Sequence, residues 1–276
     1  ITMTNKLIQY AGNKQFLVHT VNKLIQEHLP DYKVYVEPFL GSGAIFYNLE
    51  NFDRTYILCD IDKHIIGMHK ALLEHSYGDY MYCIYSILKH IGDIKESKIA
   101  YYEFRKQWNE SCFNKDTKYK YLYLIMLANS CINSMLRFGK NGMNQGFGHR
   151  HYIIPEDAYD SMKIRLNYAY IDQTDYSSVF NNMSTRSKAV YFFDPPYEDR
   201  QMAYHCGFSK QTFVNQLRFL NKSKDCLYMY TDIENPVSDL LLEHGWIKQE
   251  IRTMRTTCPS KHSEVTAKEV LYLLKT

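Results

Sequence analysis

The residues best suited to chemistry are Asp194, Pro195, Pro196 and Tyr197, which follow directly on the run Ala189-Val190-Tyr191-Phe192-Phe193. An apolar run that meets a breaker reads as a strand buried on both faces. Two successive prolines cannot continue a ladder, and each holds the residue before it extended. Asp194 and Tyr197 are therefore expected to project from a stiff turn at the carboxyl end of a strand. That is the edge where open α/β sheets take their ligands. An exocyclic amine on a heterocyclic base is a poor nucleophile, because its lone pair is delocalised into the ring. A carboxylate and a backbone carbonyl can accept its two N–H bonds and localise that pair, while an aromatic face holds the ring. Asp194, the Pro195 carbonyl and Tyr197 supply these three parts. The plain alternative is a proline-rich turn after a core strand.

Several elements must position such a group. Val34-Tyr35-Val36-Glu37-Pro38-Phe39-Leu40-Gly41-Ser42-Gly43, with an apolar stretch to Leu49, reads as strand, glycine turn and helix. Gly41 and Gly43 let the backbone bend tightly and approach a ligand without a Cβ in the way. A second strand, Tyr56-Ile57-Leu58-Cys59, ends in Asp60, about twenty positions after the glycines, where an acid commonly accepts ribose hydroxyls. Asp62 is the runner-up for that role. Lys14 stands before a helical pattern over 16–28. Residues 61–91 read as helical and tyrosine-rich, 99–108 as an amphipathic helix, and 120–136 as a helix that takes in the longest uncharged run, 121–136. Residues 137–150 hold four glycines, two asparagines and a mix of basic and aromatic side chains. They read as a β-hairpin or a loop. After Pro155 the α/β pattern resumes: a helix over 156–166, a short strand over 169–171, and the segment Thr174-Asp175-Tyr176. The Asp194 strand comes next. Ser209 caps a helix to 221, a strand covers 226–230 and a helix covers 236–243. Two closing strands, 246–252 and 269–274, flank a basic, proline-containing loop.

At 276 residues and 45% hydrophobic content the chain can bury a substantial core, and its net charge of +3 excludes a polycation. Charge is nonetheless local. Between Lys98 and Arg150 nine Lys or Arg face three acids, a segment of +6, so the remainder is −3. A basic segment on a near-neutral body suits an anionic partner such as nucleic acid, and a solvated lysine-rich helix face explains the charge almost as well. Seven cysteines without a Cys-x-x-Cys spacing point to buried free thiols in a reducing compartment. The eleven histidines show no metal-ligand pattern, and no metal is expected. The uncharged run is too short and too polar to span a bilayer.

Taken in order, these motifs resemble the Dam-type DNA adenine-N6 methyltransferases, and the resemblance covers nearly the whole chain. Tyr10-Ala11-Gly12-Asn13-Lys14, Glu37-Pro38-Phe39-x-Gly41-x-Gly43, Ile57-Leu58-Cys59-Asp60, Tyr101-Tyr102-x-Phe104-Arg105 with Asn133-x-x-x-Arg137, Asn144-Gln145-Gly146-Phe147-Gly148 and Asp194-Pro195-Pro196-Tyr197 carry it. The last is the signature of amino-methyltransferases acting on adenine N6 and, less often, cytosine N4.

The resemblance implies an α/β, Rossmann-like class I methyltransferase sheet. Residues 1–74 and 166–276 would form the S-adenosylmethionine-binding catalytic domain, and 75–165 an inserted helical and β-hairpin target-recognition domain. It implies cofactor contacts from Tyr10, Gly12, Lys14, Glu37, Phe39, Gly41, Gly43, Asp60, Asp175, Tyr176 and Asp194. It implies catalysis by Asp194, Pro195, Pro196 and Tyr197 on an adenine flipped out of the duplex. DNA contacts would come from Gln9, Ile132, Asn133, Met135, Arg137, Lys140, Asn144, Gly146, Phe147 and Arg150. Double-stranded DNA is the expected partner, with a cognate restriction endonuclease as an optional one. The expected setting is the cytoplasm of a bacterial or phage-infected cell, as a monomer or weak dimer.

Three positions depart from the family pattern. Gln9 stands where some members carry a guanine-reading lysine, Gly146 replaces a proline, and Ile132 stands where some carry an aromatic wedge. Recognition of the outer base pairs is expected to shift away from the family's GATC. Two alternatives remain open on the residues alone: a methyltransferase for cytosine N4 or RNA adenine, and a catalytically idle, cofactor-sensing DNA-binding protein.

Overall fold

The computed structural model describes residues 5–9, 14–51, 53–110, 118–148, 153–183, 186–196, 207–220, 224–258 and 263–276, with the side chains of 254–258 and 263–266 left aside. Tyr10, Gly12, Arg150 and Tyr197 lie outside the described residues. The chain divides into two compact units. The first comprises 1–21, 41–52 and 62–171, and the second 22–40, 53–61 and 172–276. The helix α1 (Val18–His28) begins in the first and ends in the second.

The second unit carries the sheet. Its strands are β1 (Val34–Glu37), β2 (Thr55–Asp60), β5 (Ala169–Gln173, which enters from the first unit), β6 (Ala189–Phe193), β7 (Cys226–Ile233), β8 (Ile247–Cys258) and β9 (Ser263–Lys275). They lie in the order β5-β2-β1-β6-β7-β9-β8. β2, β1, β6 and β7 run parallel, and β9 and β8 close the far edge as an antiparallel pair. In chain order the sheet reads 3-2-1-4-5-7-6: a doubly wound half whose far side ends in an antiparallel hairpin. This is the sheet that the resemblance implies, and the order reverses between β1 and β6, which is where such sheets take ligands. All five residues of β6 are buried, as a central parallel strand requires. On one face the core joins Tyr191, Phe193, Tyr228 and Tyr230 to Val179, Phe213 and Leu217 from the helices Tyr176–Asn181 and Lys210–Arg218.

The first unit is helical. Its centre is α5 (Lys120–Ser130), nine of whose residues are buried. Around it lie α2 (Lys63–Glu74), α3 (Tyr77–His90), α4 (Lys98–Glu110) and α6 (Glu156–Leu166). α2 and α5 approach so closely that a Cβ on Gly67 would stand 2.2 Å from the Tyr121 ring. The strands β3 (Phe138–Gly139) and β4 (Gly142–Met143) form the small hairpin that residues 137–150 suggest.

Several boundaries differ from the sequence reading, among them the helix expected over 236–243, which ends at Asp239. The apolar stretch after Gly43 forms only a 3-10 turn over Phe46–Asn48. The helical pattern of 61–91 is two helices, broken at His75 and Ser76, where Ser76 opens α3 with a capping box to Asp79. The helix expected to reach Leu136 stops at Ser130, where Cys131 turns extended (φ −94°, ψ 165°), and Asn133 and Ser134 beyond it adopt φ of 57° and 48°. Helical geometry cannot continue through left-handed residues. The closing strands reach Cys258 and begin again at Ser263, so much of the expected loop is ladder.

Candidate active site

Asp194 sits directly beyond the end of β6, half-buried, with Pro195 buried behind it. β6 and β7 stay in register as far as Phe193 and Tyr230. Proline carries no N–H, so the ladder stops there. The Thr231 hydroxyl reaches across this break: Oγ1 donates to Asp194 Oδ1 at 2.9 Å and lies 3.3 Å from the Phe193 carbonyl. The next residue, Asp232, is heavily bonded. It accepts from Lys210 Nζ (3.0 Å), the Ile233 amide (2.8 Å), Tyr230 Oη (2.6 Å), Asn235 Nδ2 (2.8 Å) and Ser238 Oγ (2.5 Å). A buried carboxylate persists only with such donors. Burial, together with the Asp232 charge, holds the Tyr230 phenol well above its ordinary pKa.

Two further pairs form at the same carboxyl edge. The Thr174 amide donates to the Asp60 carbonyl at 3.1 Å, bringing the segment 174–176 beside the end of β2. Asp175 caps the helix Tyr176–Asn181 by accepting from the Ser177 amide. Phe39 and Tyr176 meet with ring centroids 5.4 Å apart, and Phe213 lies 5.5 Å from Phe39. Burial raises the Tyr176 pKa, so the ring stays a neutral aromatic face. Glu37, 3% exposed at the end of β1, accepts from Tyr35 Oη at 2.9 Å. Asp62 is spent elsewhere, since its side chain caps α2 by accepting from the His64 amide. Asp60 is thus the acid at the strand end.

In the first unit the two turn glycines separate by role. At Gly41 (φ +49°) a Cβ would meet nothing within 4 Å, the open space that a ligand would fill. Gly43 (φ +69°) is a packing glycine, because its Cβ would stand 2.7 Å from Tyr47. His69 braces the turn. Its Nε2 is 2.9 Å from the Gly41 carbonyl and its Nδ1 is 2.6 Å from Tyr47 Oη. The carbonyl can only accept, so Nε2 carries the proton and Nδ1 accepts from the tyrosine. Burial pushes its pKa down to about 4, against a smaller upward pull from the Gly41 carbonyl. Lys14 is buried at the start of a 3-10 turn.

The hairpin region is organised by residues of the motifs and by two neighbours, Asn109 and His64, that the sequence reading did not single out. Asn109 on α4 bonds both backbone atoms of Met143, at 2.8 Å each. Phe138 stacks on His64 at 4.1 Å. Tyr101 Oη and Arg105 donate to the Gln145 carbonyl at 2.9 and 2.6 Å. The Ile132 amide donates to the Gly146 carbonyl, and Phe147 bridges Cys131. Ile132 and Gly146 are therefore brought together, and Tyr101 packs on Phe147. Asn133, Arg137, Lys140 and Asn144 are exposed, and Met135 is half-buried. Buried Asn129 accepts from the Gln9 amide and donates to the Leu7 carbonyl, which fixes the segment that presents Gln9. A polar residue inside an apolar helix was the visible signal for Asn129. Thr231 and His69 carry no comparable signal.

The doubly wound sheet with the Asp194 carboxylate at a strand end is the arrangement that the methyltransferase resemblance implies. The chain belongs to the D12 class N6 adenine-specific DNA methyltransferase family, whose model matches residues 10–250. It is 27% identical over 231 residues to type II methyltransferase M.CviBI of Paramecium bursaria Chlorella virus NC1A, covering 80% of each chain. It is 29% identical over 192 residues to the DNA adenine methylase of Vibrio cholerae, covering 69% of this chain and 64% of that protein. The activity is therefore adenine-specific DNA methylation, with DNA as the substrate and S-adenosylmethionine as the methyl donor of the class. Within the second unit the residues present suit that donor: an acid at a strand end and the half-buried aromatic faces of Phe39 and Tyr176. Among the described residues no helix is long and apolar enough to cross a membrane.

Proposed function

We propose that the end of β6 is the catalytic edge and that the chain methylates adenine N6 at a specific duplex site after flipping the base out of the stack. The observation that carries this reading is the placement of Asp194: a carboxylate at the end of a fully buried strand, with a hydroxyl bonded to it and a proline fixing the backbone behind it. Bound S-adenosylmethionine supplies an electrophilic methyl group on a sulfonium centre. Asp194 and the Pro195 carbonyl accept the two N–H bonds of the target amine and turn its lone pair toward that methyl. Tyr197, by its place in the motif, stacks on the base.

The proposal carries the cofactor contacts over residue by residue. Asp60 accepts the ribose hydroxyls, and Phe39 and Tyr176 offer aromatic faces beside Asp175. Gly41 gives its backbone to the ligand and Gly43 keeps the turn tight. Lys14, Glu37, Tyr10 and Gly12 complete the set by resemblance. Target recognition falls to residues 75–165 with Gln9, through Ile132, Asn133, Met135, Arg137, Lys140, Asn144, Gly146, Phe147 and Arg150. The remaining segments, 1–74 and 166–276, form the catalytic domain, and the chain acts in the cytoplasm as a monomer or weak dimer. Ile132, an apolar side chain 46% exposed, fills the gap left by the flipped base.

Transfer of tritiated methyl groups from S-adenosylmethionine to unmethylated plasmid DNA tests the reading. Asp194→Ala is expected to lower the rate at least about a thousandfold, as loss of a group acting on the reacting atoms does, with the fold retained. Near-normal turnover by that variant would remove Asp194 from the chemistry.

A further inference from the structure

The break in the β6–β7 ladder contains a second residue for the same reaction. One register step beyond Phe193 and Tyr230, Asp194 would face Thr231, and no backbone bond continues the pairing there because Pro195 has no amide hydrogen. Thr231 is completely buried. Its backbone is paired on the other side with Leu271 of β9. The following residue is pinned by five donors, so the end of β7 cannot slide or roll. The Thr231 hydroxyl is thereby held at fixed height against one oxygen of Asp194, 2.9 Å away.

We infer that Thr231 is a positioning residue for methyl transfer: its hydroxyl fixes the orientation of the Asp194 carboxylate. This inference rests on the reading that Asp194 holds the target amine. A carboxylate can adopt many planes, and only some of them aim an amine lone pair in line with a methyl group. A hydrogen bond from a buried, β-branched side chain selects one. β-branching restricts χ1, so the donor itself does not wander. A purely structural threonine would only satisfy its own hydroxyl against the Phe193 carbonyl. It would contribute to stability and leave the chemical step alone.

The test compares full-length wild type, Thr231→Val, Thr231→Ser and Asp194→Ala in methyl transfer from S-adenosylmethionine to unmethylated plasmid DNA, with cofactor binding followed by calorimetry. Valine keeps the branched shape and removes the donor, whereas serine keeps the donor and removes a methyl. Thr231→Val is expected to lower kcat roughly tenfold, the scale of one hydrogen bond to a charged group. KM for both substrates and cofactor affinity should stay within about twofold, and Thr231→Ser should retain kcat within about threefold. An unchanged kcat in Thr231→Val, a loss that falls on KM alone, or a serine variant as impaired as the valine one would overturn the inference. Should the valine variant not fold, Thr231→Ala makes the same comparison. An inactive Asp194→Ala beside a fully active Thr231→Val defeats the inference and spares the reading of Asp194, whereas an active Asp194→Ala defeats both.

Discussion

The end of the β6–β7 pair and the segment 131–148 solve opposite problems with the same chain. At the sheet edge almost every side chain is buried and committed: β6 is apolar throughout and Asp232 accepts five hydrogen bonds. In the hairpin region the strands are two residues long. Order there comes from outside, through Asn109, Tyr101 and Arg105, while Arg137, Lys140 and Asn144 face solvent. Chemistry at a single amine needs one geometry, and burial supplies it. On the proposed function, reading a groove needs exposed donors on a scaffold thin enough to enter it. The first region is therefore rigid through its own core, and the second through a few struts to its neighbours.

The sharpest way to break that contrast is to loosen the rigid edge from within. Lys210→Met leaves the nearly buried Asp232 without its cation. Removing one member of a buried ion pair typically costs about 3–5 kcal/mol, and the four donors that remain place this case near the low end. Urea unfolding should show a loss of about 3 kcal/mol. A loss below about 1 kcal/mol would mean that the pair behaves like a surface contact and that the edge owes its order to something else.

A second test asks whether the glycine turn shares this rigidity. His69 is neutral when folded, with its pKa pushed down by burial to about 4 from 6.5. The unfolded chain therefore takes up a proton at this site at a pH where the native state does not. Stability falls as pH drops from about 6.5 to about 4 and levels off for this group below that. The full effect is about 3 kcal/mol. The difference between wild type and His69→Gln across that window should carry this slope, and parallel pH profiles would show that the buried imidazole does not brace the turn.

The smallest effect is expected on the exposed side. Arg137→Ala should weaken DNA binding by about 1–2 kcal/mol and reduce the slope of log affinity against log salt by about one if it contacts phosphate. If it reads a base edge, it should instead relax specificity at one position and leave that slope unchanged. Cofactor affinity should not move in either case. A fall in cofactor affinity would join the two regions more tightly than their separate supports suggest.

The sequence revealed most where local chemistry and burial agree. The β6 run and its two prolines end the strand where the structure ends it, and Asp60 closes β2 while Asp62 turns out to be a helix cap. Ser209 caps the helix that begins at Lys210, as its type suggests. Failures came where tertiary contacts decide. Residues 131–136 look helical, but Asn133 and Ser134 turn left-handed where the chain meets Gly146 and Phe147. Residues 253–258 look like a polar loop, yet they pair with 263–268. Thr231, His69 and Asn109 act through partners 37, 28 and 34 positions away, and no spacing rule reaches that far. The Gly41 and Gly43 pair read as one device, and only a packing comparison separates the glycine beside open space from the one pressed against Tyr47.

The central claim is that the carboxylate at the end of β6 performs adenine methylation. Modification-sensitive sequencing of DNA from a methylation-free host expressing either the wild type or Asp194→Ala tests it most directly. The account predicts N6-methyladenine at one recurring short motif with the wild type and none with the variant. Modified adenine at the same motif in both strains would contradict it, as would modification of cytosine in place of adenine.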